Sequence, residues 1–577
     1  MKHAKPSEKD PILMNTESSL LGGSWVPIYS SPVDFDGSHF LHAMANLIKE
    51  PNINSTVIMR ADFLSETTYE NDGETIKSSY VHDKADEIPE FSSTDDSDEV
   101  LLHRYLSDVS LREVPLADCD FPLKRKTEVV RRMIPRNPFK DHIINQTCLV
   151  MTSEGDQEKN PSVLVVYVPH LENSEEIPFY LPPVYGVGIL LHEGSLSIHY
   201  LPFNYTNPES ITQLRNLENT SRPVRIALRL LQTSSKHSLG AKDGYEKRVN
   251  HDVVVPKIAF QNRYISLKKK YSSKLVNSWV ESTDPKKHVF EDLAIAAFLI
   301  ELWSMKYSSK DEFEYRDLGC GNGLLVYILQ MEGYKGQGID ARARKSWKTY
   351  PQDVQDNLLE QVVIPSILLK PHPAVSKLAP HVRDNGRLFQ VPEVSPPTAV
   401  NAVPLVSYYS SANLLESTQV CTTEEFPPNT FIIGNHSDEL TCWIPLLGFP
   451  FAVIPCCSHA LSGAKKRYPA AKLSPELKRA KTTSSKGQAQ NSSTYGSLVD
   501  HVEELSKRMG WKVEREMLRI PSTRNAALIG MSKLPQFSEE PIETTQTRVM
   551  DILALEGGAE GWVENTMALM KKNPRNH

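Results

Sequence analysis

Asp317-Leu-Gly-Cys-Gly-Asn-Gly323 is the stretch that decides the fold. The residues before it have the pattern of a short strand. The apolar run 324–330 after it predicts a helix that stops at Gly333, a residue type favoured at helix C-termini. Residues 335–340 then predict a second strand. Strand, glycine loop, helix and strand make one βαβ unit, in which the two strands run parallel with a right-handed crossover.

The composition of this loop is typical of a cofactor site. Gly319, Gly321 and Gly323 remove side chains and allow backbone angles closed to other residues, so a large polar ligand can approach the main chain. Asp340, at the end of the second strand, can accept hydrogen bonds from a ribose diol, and Asp317 can orient the loop or meet an ammonium group. The spacing is GxGxG and lacks the third glycine of a dinucleotide fingerprint, which favours S-adenosylmethionine as the cofactor. A tight structural turn is the simpler alternative.

The remainder of residues 251–577 continues the alternation of strands and helices. Helical patterns precede the loop, and the patterns after it are two strands, a helix and a terminal pair of strands, at 430–434, 451–455, 498–509, 512–520 and 526–529. This order predicts an α/β fold, namely a class I (Rossmann-like) S-adenosylmethionine-dependent methyltransferase domain. Residues 350–428 have the pattern of a long Pro-rich insertion, and residues 463–490 that of a basic, mobile loop.

The first 250 residues carry no motif that points to chemistry. Residues 1–109 are predicted as a separate N-terminal region, in which an acidic, Ser-rich segment near 65–100 is expected to be a disordered loop. Residues 110–250 contain short apolar runs at 163–168, 187–191 and 196–201, bounded by Pro, Gly and Asn. We therefore expect a β-rich accessory domain ahead of the methyltransferase domain.

Composition narrows the cellular setting. The 577 residues carry a net charge of −7, so a nucleic-acid partner would have to be bound by local basic clusters. Seven scattered cysteines do not make a disulfide framework and fit a reducing compartment. The N-terminus lacks the apolar core of a signal peptide, and no apolar run has the length of a membrane span. We expect a soluble, cytoplasmic protein without a membrane partner.

Several blocks of the sequence resemble a known family. They are Asp317-Leu-Gly-Cys-Gly-Asn-Gly-Leu-Leu325, Gly333 to Trp347, Ile433-Gly-Asn-His-Ser-Asp-Glu439, Ile454-Pro-Cys-Cys457 and Leu518-Arg-Ile-Pro-Ser-Thr-Arg-Asn525. Together with Asp284 to Asp292 and Gly557 to Trp562, these blocks resemble the tRNA (uracil-2′-O-)-methyltransferase family that modifies uridine 44 of serine tRNA. The resemblance covers residues 250–577 and extends more loosely over 110–250. It implies methyl transfer from S-adenosylmethionine to a ribose 2′-hydroxyl, with serine tRNA as the partner.

Catalytic candidates follow the strand at 430–434. Its end should lie beside the cofactor, so His436 or Asp438 can accept the proton of the hydroxyl, and Asn435 can position the hydroxyl or the cofactor. The alternative for Ser437 and Asp438 is to cap a following helix, since Ser and Asp are favoured N-caps. His459 and Lys465 are more distant candidates.

No metal is expected. Cys456 and Cys457 are adjacent, no matching pair follows them at zinc-ligand spacing, and two adjacent thiols do not easily share one tetrahedral ion. Burial at a strand end is the preferred interpretation of the pair.

Basic residues that could contact RNA phosphates form three clusters, at 123–140, 268–287 and 465–481. Tyr264, Tyr271 and Trp347 can stack on a base or on adenine, although core positions are the simpler assignment. Other functions consistent with the sequence are methyl transfer to another RNA, a protein or a small molecule, non-catalytic RNA binding on the same fold and, more remotely, a dinucleotide oxidoreductase.

Overall fold

The computed structural model describes residues 10–82, 106–116, 118–138, 140–153, 161–245, 251–392, 406–468 and 493–571. The chain divides into two compact units, Met1–Lys247 and Arg248–His577. Each unit has hydrophobic cores of its own, because every buried core cluster is built from residues of one unit alone. In the described part of the chain, no helix is both long enough and apolar enough to cross a membrane.

The N-terminal unit is built on one nine-stranded antiparallel sheet, in the order β1-β2-β9-β8-β7-β6-β5-β3-β4. Its central strand β7 is buried along its whole length, as expected for a continuous apolar run. The strands are β1 (Ile12–Leu13), β2 (Val26–Pro32), β3 (Ile58–Tyr69), β4 (Ile76–Val81), β5 (Lys124–Pro135), β6 (Ile144–Thr152), β7 (Val163–Pro169), β8 (Gly186–His192) and β9 (Ser195–Leu201). The three short strands predicted from the sequence are β7, β8 and β9.

Helices α1 (Gly37–Lys49) and α3 (Arg222–Lys242) share a core with this sheet, and α2 (Pro208–Arg215) lies between β9 and α3 in the chain. The Asp36 side chain begins α1 by accepting hydrogen bonds from the backbone N–H groups of Ser38 and His39. The apolar face of α1 then meets that of α3 over the sheet, where Phe40 and Leu231 belong to one core cluster.

This sheet corrects two expectations for the N-terminal half. Residues 1–109 are not separate from 110–250, because β1 to β4 are strands of the same sheet as β5 to β9. The acidic segment predicted as a loop near 65–100 begins inside a hairpin, since β3 and β4 pair from Ser65–Val81 to Tyr69–Ile76. Exposed Ser and Thr side chains face solvent across this hairpin, which explains why it lacked an apolar strand pattern. Residues 83–105 lie outside the described residues.

The C-terminal unit contains a seven-stranded sheet in the order β12-β11-β10-β17-β18-β20-β19. All neighbouring strands are parallel except at β20, which runs antiparallel to both β18 and β19. The strands are β10 (Glu314–Leu318), β11 (Gly336–Asp340), β12 (Leu358–Glu360), β17 (Thr430–Asn435), β18 (Phe451–Ile454), β19 (Trp511–Met517) and β20 (Ala526–Lys533). The α/β class I expectation is confirmed. The predicted terminal pair of strands is β19 and β20, and β20 is the strand that runs antiparallel to its neighbours.

Helices pack their apolar side chains against this sheet. Helix α5 is buried on most of its surface and belongs to the same core cluster as β10 and α6. The helices are α4 (Lys257–Asn277), α5 (Pro285–Lys306), α6 (Leu324–Met331), α7 (Gln352–Gln355), α8 (Pro373–Leu378), α9 (Ser411–Leu415), α10 (Thr494–Arg508), α11 (Pro535–Ser538), α12 (Ile542–Leu555) and α13 (Trp562–Met570). As predicted, Asp284 begins α5, where its carboxylate accepts a hydrogen bond from the Lys286 backbone N–H.

The insertion expected at 350–428 begins too early in that prediction. Its first part supplies β12, a strand of the main sheet that is only three residues long and too short to leave a periodic signal. The described residues after β12 form two small pairs outside the main sheet. Strand β13 (Val362–Ile364) pairs with β16 (Val420–Thr422), and β14 (Leu388–Pro392) pairs with β15 (Val406–Ser410).

The strand order reverses direction at β10. Strand β11 follows β10 in the chain and lies on one side of it, whereas β17 lies on the other side. At such a switch point the connections leave in opposite directions, so a crevice opens at the carboxyl ends of the two strands. The glycine loop follows β10, and residues 435–439 follow or end β17, so both sequence motifs lie at this crevice.

Candidate active site at the carboxyl ends of the parallel strands

The glycine loop turns tightly between β10 and α6. The backbone N–H groups of Gly319 and Cys320 donate to the Ile339 carbonyl at 2.8 and 3.2 Å, which ties the loop to β11. Gly319, Gly321 and Gly323 all have positive φ, between 54° and 78°. Such angles strain residues with a Cβ, so the backbone conformation favours glycine at all three positions.

The three glycines do not have the same surroundings. A Cβ on Gly321 would have no neighbour within 4 Å, and a Cβ on Gly319 would lie 3.3 Å from the Ser437 backbone. Both residues line a cavity of about 500 Å³. Gly323 does not line that cavity; it is the N-cap of α6, and a Cβ there would lie 3.0 Å from the Leu358 side chain.

Aromatic residues after β11 support the loop from within. The Trp347 indole N–H donates to the Gly321 carbonyl at 2.9 Å, and the Tyr350 hydroxyl donates to the Asn322 carbonyl at 3.0 Å. Trp347 and Tyr271 are buried core residues, and Tyr264 packs partly buried against the same core. The core assignment of these three residues is confirmed, and Trp347 in addition fixes the loop.

Two carboxylates lie next to the loop. Asp340 accepts hydrogen bonds from the backbone N–H groups of Gly321 and Arg342, at 3.0 and 3.1 Å. Asp317 is buried, and its Oδ1 has no hydrogen-bond partner among the residues that the structure describes. Burial, with a smaller contribution from the Asp340 charge, raises the pKa of Asp317 to about 8. An unpartnered carboxyl oxygen in this position suits a ligand that carries an ammonium group.

The end of β17 has an unusual backbone. His436 and Asp438 both have positive φ, 54° and 42°, which is uncommon for residues other than glycine. Strain of this kind costs about 1–3 kcal/mol per residue and is typical of functional sites. Asn435, His436, Ser437 and Asp438 all line the cavity, so the three catalytic candidates lie together with the cofactor candidates.

Helix α5 supplies two acids that the sequence analysis missed. Asn435 Nδ2 donates to Asp292 Oδ1 at 3.2 Å, and His436 Nε2 lies 3.2 Å from Glu291 Oε1. Both acids are buried, and burial, followed by the charges of Glu291 and Asp317, raises the pKa of Asp292 well above its usual value. Two adjacent acids at the start of the long apolar stretch of α5 were the available signal, because such groups are rarely buried without a partner.

Several buried polar atoms of the site lack partners within the described protein. They are Asp317 Oδ1, Asn435 Oδ1, His436 Nδ1 and Ser437 Oγ. Buried polar groups are normally hydrogen-bonded, so a cluster of unpartnered atoms around one cavity indicates a polar ligand. The capping interpretation of Ser437 is wrong: it precedes a short 3₁₀ helix, Asp438–Leu440, but its side chain makes no capping hydrogen bond.

The cysteine pair follows β18 and reaches the same cavity. Cys456 Sγ donates to Asp438 Oδ1 at 2.8 Å, and Arg524 Nη1 lies 3.6 Å from Cys457 Sγ. Both thiols are half-buried rather than enclosed in the core, and burial together with the Asp438 charge raises the pKa of Cys456. Simple burial at a strand end therefore does not describe this pair.

Comparisons with known proteins agree with this geometry. The family described as "TRM44-like, N-terminal bet v1-like domain" matches residues 4–248, and the family described as "Predicted AdoMet-dependent methyltransferase" matches residues 254–365. A Debaryomyces hansenii protein named tRNA (uracil-O(2)-)-methyltransferase is 63% identical over the full length of both chains. Proteins of the same name from Saccharomyces cerevisiae and Schizosaccharomyces pombe are 51% and 34% identical, and the matches cover 97% and 98% of this chain and 95% and 96% of theirs.

The chain belongs to the tRNA (uracil-O(2)-)-methyltransferase family. Its C-terminal unit is the S-adenosylmethionine-dependent methyltransferase domain, and the accessory unit is a bet v1-like domain.

In this tRNA (uracil-O(2)-)-methyltransferase family member, the residues present fit S-adenosylmethionine. Gly321 leaves open space where a cofactor would contact the main chain, and the orphaned Asp317 Oδ1 can receive an ammonium group. The donors and acceptors around the cavity match a molecule that carries a positive charge, a diol and a carboxylate.

The basic clusters of this family member are less available than the sequence suggested. Arg131 and Arg132 are buried and donate to Gln146 and Asn145 inside the N-terminal unit. Lys270 is paired with Glu332, whereas Lys287 is exposed and lines the cavity. Because these two arginines are buried, the first cluster has fewer charges at the surface than its sequence suggested.

The remaining candidates lie away from the site or cannot be placed. Residues 469–481 of the third cluster fall outside the described residues. His459 is buried with Nδ1 3.1 Å from the Gly463 carbonyl, and neither it nor Lys465 lines the cavity.

Proposed function

We propose that this protein transfers a methyl group from S-adenosylmethionine to the ribose 2′-hydroxyl of a uridine in tRNA. The observation that carries the proposal is one cavity in which a cofactor loop and an unpartnered imidazole nitrogen, His436 Nδ1, meet at the switch point of the sheet. The relatives' names supply the substrate class. Following the resemblance noted in the sequence, we propose uridine 44 of serine tRNA as the position modified.

The protein's own residues divide the cofactor site between them. The main chain at Gly319 and Gly321 forms the floor, Asp340 accepts from the ribose hydroxyls, and Asp317 pairs with the ammonium group. When bound, S-adenosylmethionine supplies a methyl group on a positively charged sulfur. Burial raises the pKa of both Asp292 and Asp317, and a positive charge bound beside them would favour their ionised forms and be favoured by them in turn.

His436 is the proposed general base. Glu291 Oε1 accepts the hydrogen bond from Nε2–H, which leaves the lone pair of Nδ1 free to take the proton of the 2′-hydroxyl. Glu291 also favours the imidazolium that forms, in the way a carboxylate supports histidine in other enzymes. Glu291 acts through His436 and is a positioning residue.

Asp438 and Asn435 have supporting positions in this scheme. Asp438 already accepts a hydrogen bond from the Cys456 thiol, which makes it a less available base than His436. Asn435 donates to Asp292 and keeps an unpartnered Oδ1, which can accept a hydrogen bond from a hydroxyl or from the cofactor. We infer a cytoplasmic location as well, supported by seven free cysteines.

Mapping of 2′-O-methylated nucleotides in tRNA tests the reaction and its position. Total tRNA from cells with and without the protein is digested and analysed by mass spectrometry, and the loss is expected at uridine 44 of serine tRNA. Purified protein with S-adenosylmethionine should restore the mark on tRNA from the deficient cells. Restoration at another uridine would correct the position, and methylation of no tRNA would contradict the function.

Calorimetry with the purified protein tests the cofactor site. Asp340→Ala should abolish S-adenosylmethionine binding, because it removes the diol acceptor and releases the Gly321 N–H. The matched control is Asp353→Ala, which changes an exposed acid on α7. Unchanged binding by Asp340→Ala would remove the site assignment.

A further inference from the structure

Three side chains of the metal-binding type converge next to the catalytic candidates. The donor atoms of Asp438, Cys456 and Cys457 all lie within 4.8 Å of one another. Asp438 follows β17 and the two cysteines follow β18, and these strands are parallel neighbours in the sheet. The sequence analysis expected no metal because the cysteine pair has no second pair and because adjacent thiols do not easily share one ion. In the structure both thiols nevertheless lie close to each other and to the Asp438 carboxylate. The third donor comes from a neighbouring strand and could not be seen in the spacing.

The backbone conformation and the side-chain contacts hold these three residues together. Asp438 has the left-handed φ of 42°, and this backbone places its Oδ1 2.8 Å from Cys456 Sγ. Neither thiol forms a disulfide, and all three residues line the cavity. A strained backbone that brings a carboxylate against two free thiols collects potential metal ligands in one place, and a bound cation would stabilise the thiolates that form when the thiols lose their protons.

We propose that Asp438, Cys456 and Cys457 bind one divalent zinc ion. Thiolate and carboxylate are both zinc ligands, with bonds of about 2.3 Å to sulfur and about 2.0–2.2 Å to oxygen. In a tetrahedral site such donors lie roughly 3.6–3.8 Å apart, so small side-chain rotations within the observed cluster suffice. Thiolates select zinc over magnesium or calcium, which prefer all-oxygen sites.

Three protein ligands leave one tetrahedral position open, and that position is on the cavity side because every ligand lines the cavity. Among the described residues, no other group of three such side chains is close enough to hold an ion. The ion would join the ends of β17 and β18, two residues from His436. The inference goes beyond the proposed function and stands on a separate observation, since methyl transfer itself needs no metal.

Metal analysis of the purified full-length protein tests the site. After incubation with zinc chloride and removal of excess metal, mass spectrometry of the metal content should find about one zinc per chain, as a single site requires. We expect a zinc content at least tenfold lower in each of the variants Cys456→Ser, Cys457→Ser and Asp438→Asn. Cys119→Ser changes a half-buried thiol of the N-terminal unit and should retain the full content.

A second measurement does not depend on any variant folding. Zinc-treated and untreated wild-type protein are alkylated briefly, and the modified cysteines are mapped by peptide mass spectrometry. Zinc should protect Cys456 and Cys457 and leave the labelling of Cys119 unchanged. Wild-type protein that retains no zinc, or equal labelling of the pair with and without zinc, would overturn the proposal. Cofactor binding and tRNA methylation, measured separately, would stand in that case, so the two proposals fail independently.

Discussion

At the scale of single residues, the site depends on polar atoms that the protein itself leaves unpartnered. Asp317 Oδ1 and His436 Nδ1 are buried and have no hydrogen-bond partner in the described part of the chain, although buried polar groups are usually satisfied. They lie on different motifs, the glycine loop and the end of β17, and the proposed function gives them different roles.

His436→Ala should lower kcat by about 10²–10⁴-fold, the usual contribution of a general base, and leave the affinity for S-adenosylmethionine within threefold of wild type. The expected split arises because, in the proposed function, His436 contacts the hydroxyl whereas Asp317 and Asp340 hold the cofactor. Single-turnover methylation and calorimetry check it. His381→Ala, an exposed position in the insertion, is the control. Equal loss of binding and turnover would assign His436 to the cofactor instead.

Glu291→Gln should lower kcat less than His436→Ala does and leave cofactor affinity unchanged. Glutamine keeps the shape of the side chain but replaces the charge that favours the imidazolium, and it can present an amide N–H to Nε2. In the double variant with His436→Ala, Glu291→Gln should have no further effect, because the positioning residue acts only through the base. Additive losses would contradict this dependence.

Asp317 gives the ligand-free protein a pH dependence. Its pKa is raised from 3.8 to about 8 in the folded state, so its contribution to stability is fully present below pH 3.8 and is lost as the pH rises toward 8. Asp317→Asn removes that proton equilibrium. The free energy of unfolding should therefore fall less steeply between pH 5 and 8 in the variant, by up to about 1.4 kcal/mol per pH unit. Chemical denaturation at several pH values measures the slope, and parallel slopes would contradict the assignment.

At the scale of elements, β17 determines where the catalytic candidates lie. Gly434, next to the strand end, has no room for a larger residue, because a Cβ would collide with the Ile444 side chain and come within 3.1 Å of Val453. The packing between β17, β18 and the following 3₁₀ helices therefore fixes the backbone that carries Asn435 to Asp438.

Gly434→Ala should destabilise the protein by about 1–3 kcal/mol, the usual cost of overpacking a core, and should also impair catalysis by shifting His436. Thermal unfolding measures the first effect and methylation the second. Gly496→Ala on α10 is the contrasting change. Its Cβ would meet only Ser493 Oγ at an ordinary 3.5 Å, so a small stabilisation is expected. Equal stability of Gly434→Ala and wild type would show that the residues packed around Gly434 can move to accept a Cβ.

At the scale of the whole molecule, the described cavity belongs to one of the two units. Every described residue that lines the cavity belongs to Arg248–His577, and the two core clusters of that unit contain no residue of the N-terminal unit. The bet v1-like unit thus contributes none of the described groups at the cofactor site.

A fragment of residues 251–577 should fold and bind S-adenosylmethionine within about threefold of the full chain, because it keeps the complete cavity and its own cores. Circular dichroism and calorimetry check folding and binding, and the fragment with Asp340→Ala is the control for specific binding. A folded fragment without affinity would show that the N-terminal unit supports the site.

The sequence by itself determined the cofactor loop, the order of strands and helices around it, and the candidates Asp340, His436 and Asp438. Glycine spacing, strand-end acids and apolar periodicity are local properties, and these are visible in a linear chain. The sequence misjudged the β3–β4 hairpin and β12, because polar or three-residue strands leave no apolar pattern.

Only the tertiary structure decided which groups meet. Glu291 lies 145 residues from His436 in the chain, yet the two are hydrogen-bonded to each other in the lining of the cavity. The same holds for Asp438 and the cysteine pair, which neighbouring parallel strands bring together. The tertiary structure also showed that Gly323 belongs to the turn before α6 and does not line the cavity. Parallel strands align residues that are distant in sequence at one edge of the sheet, and no spacing rule along the chain contains that information.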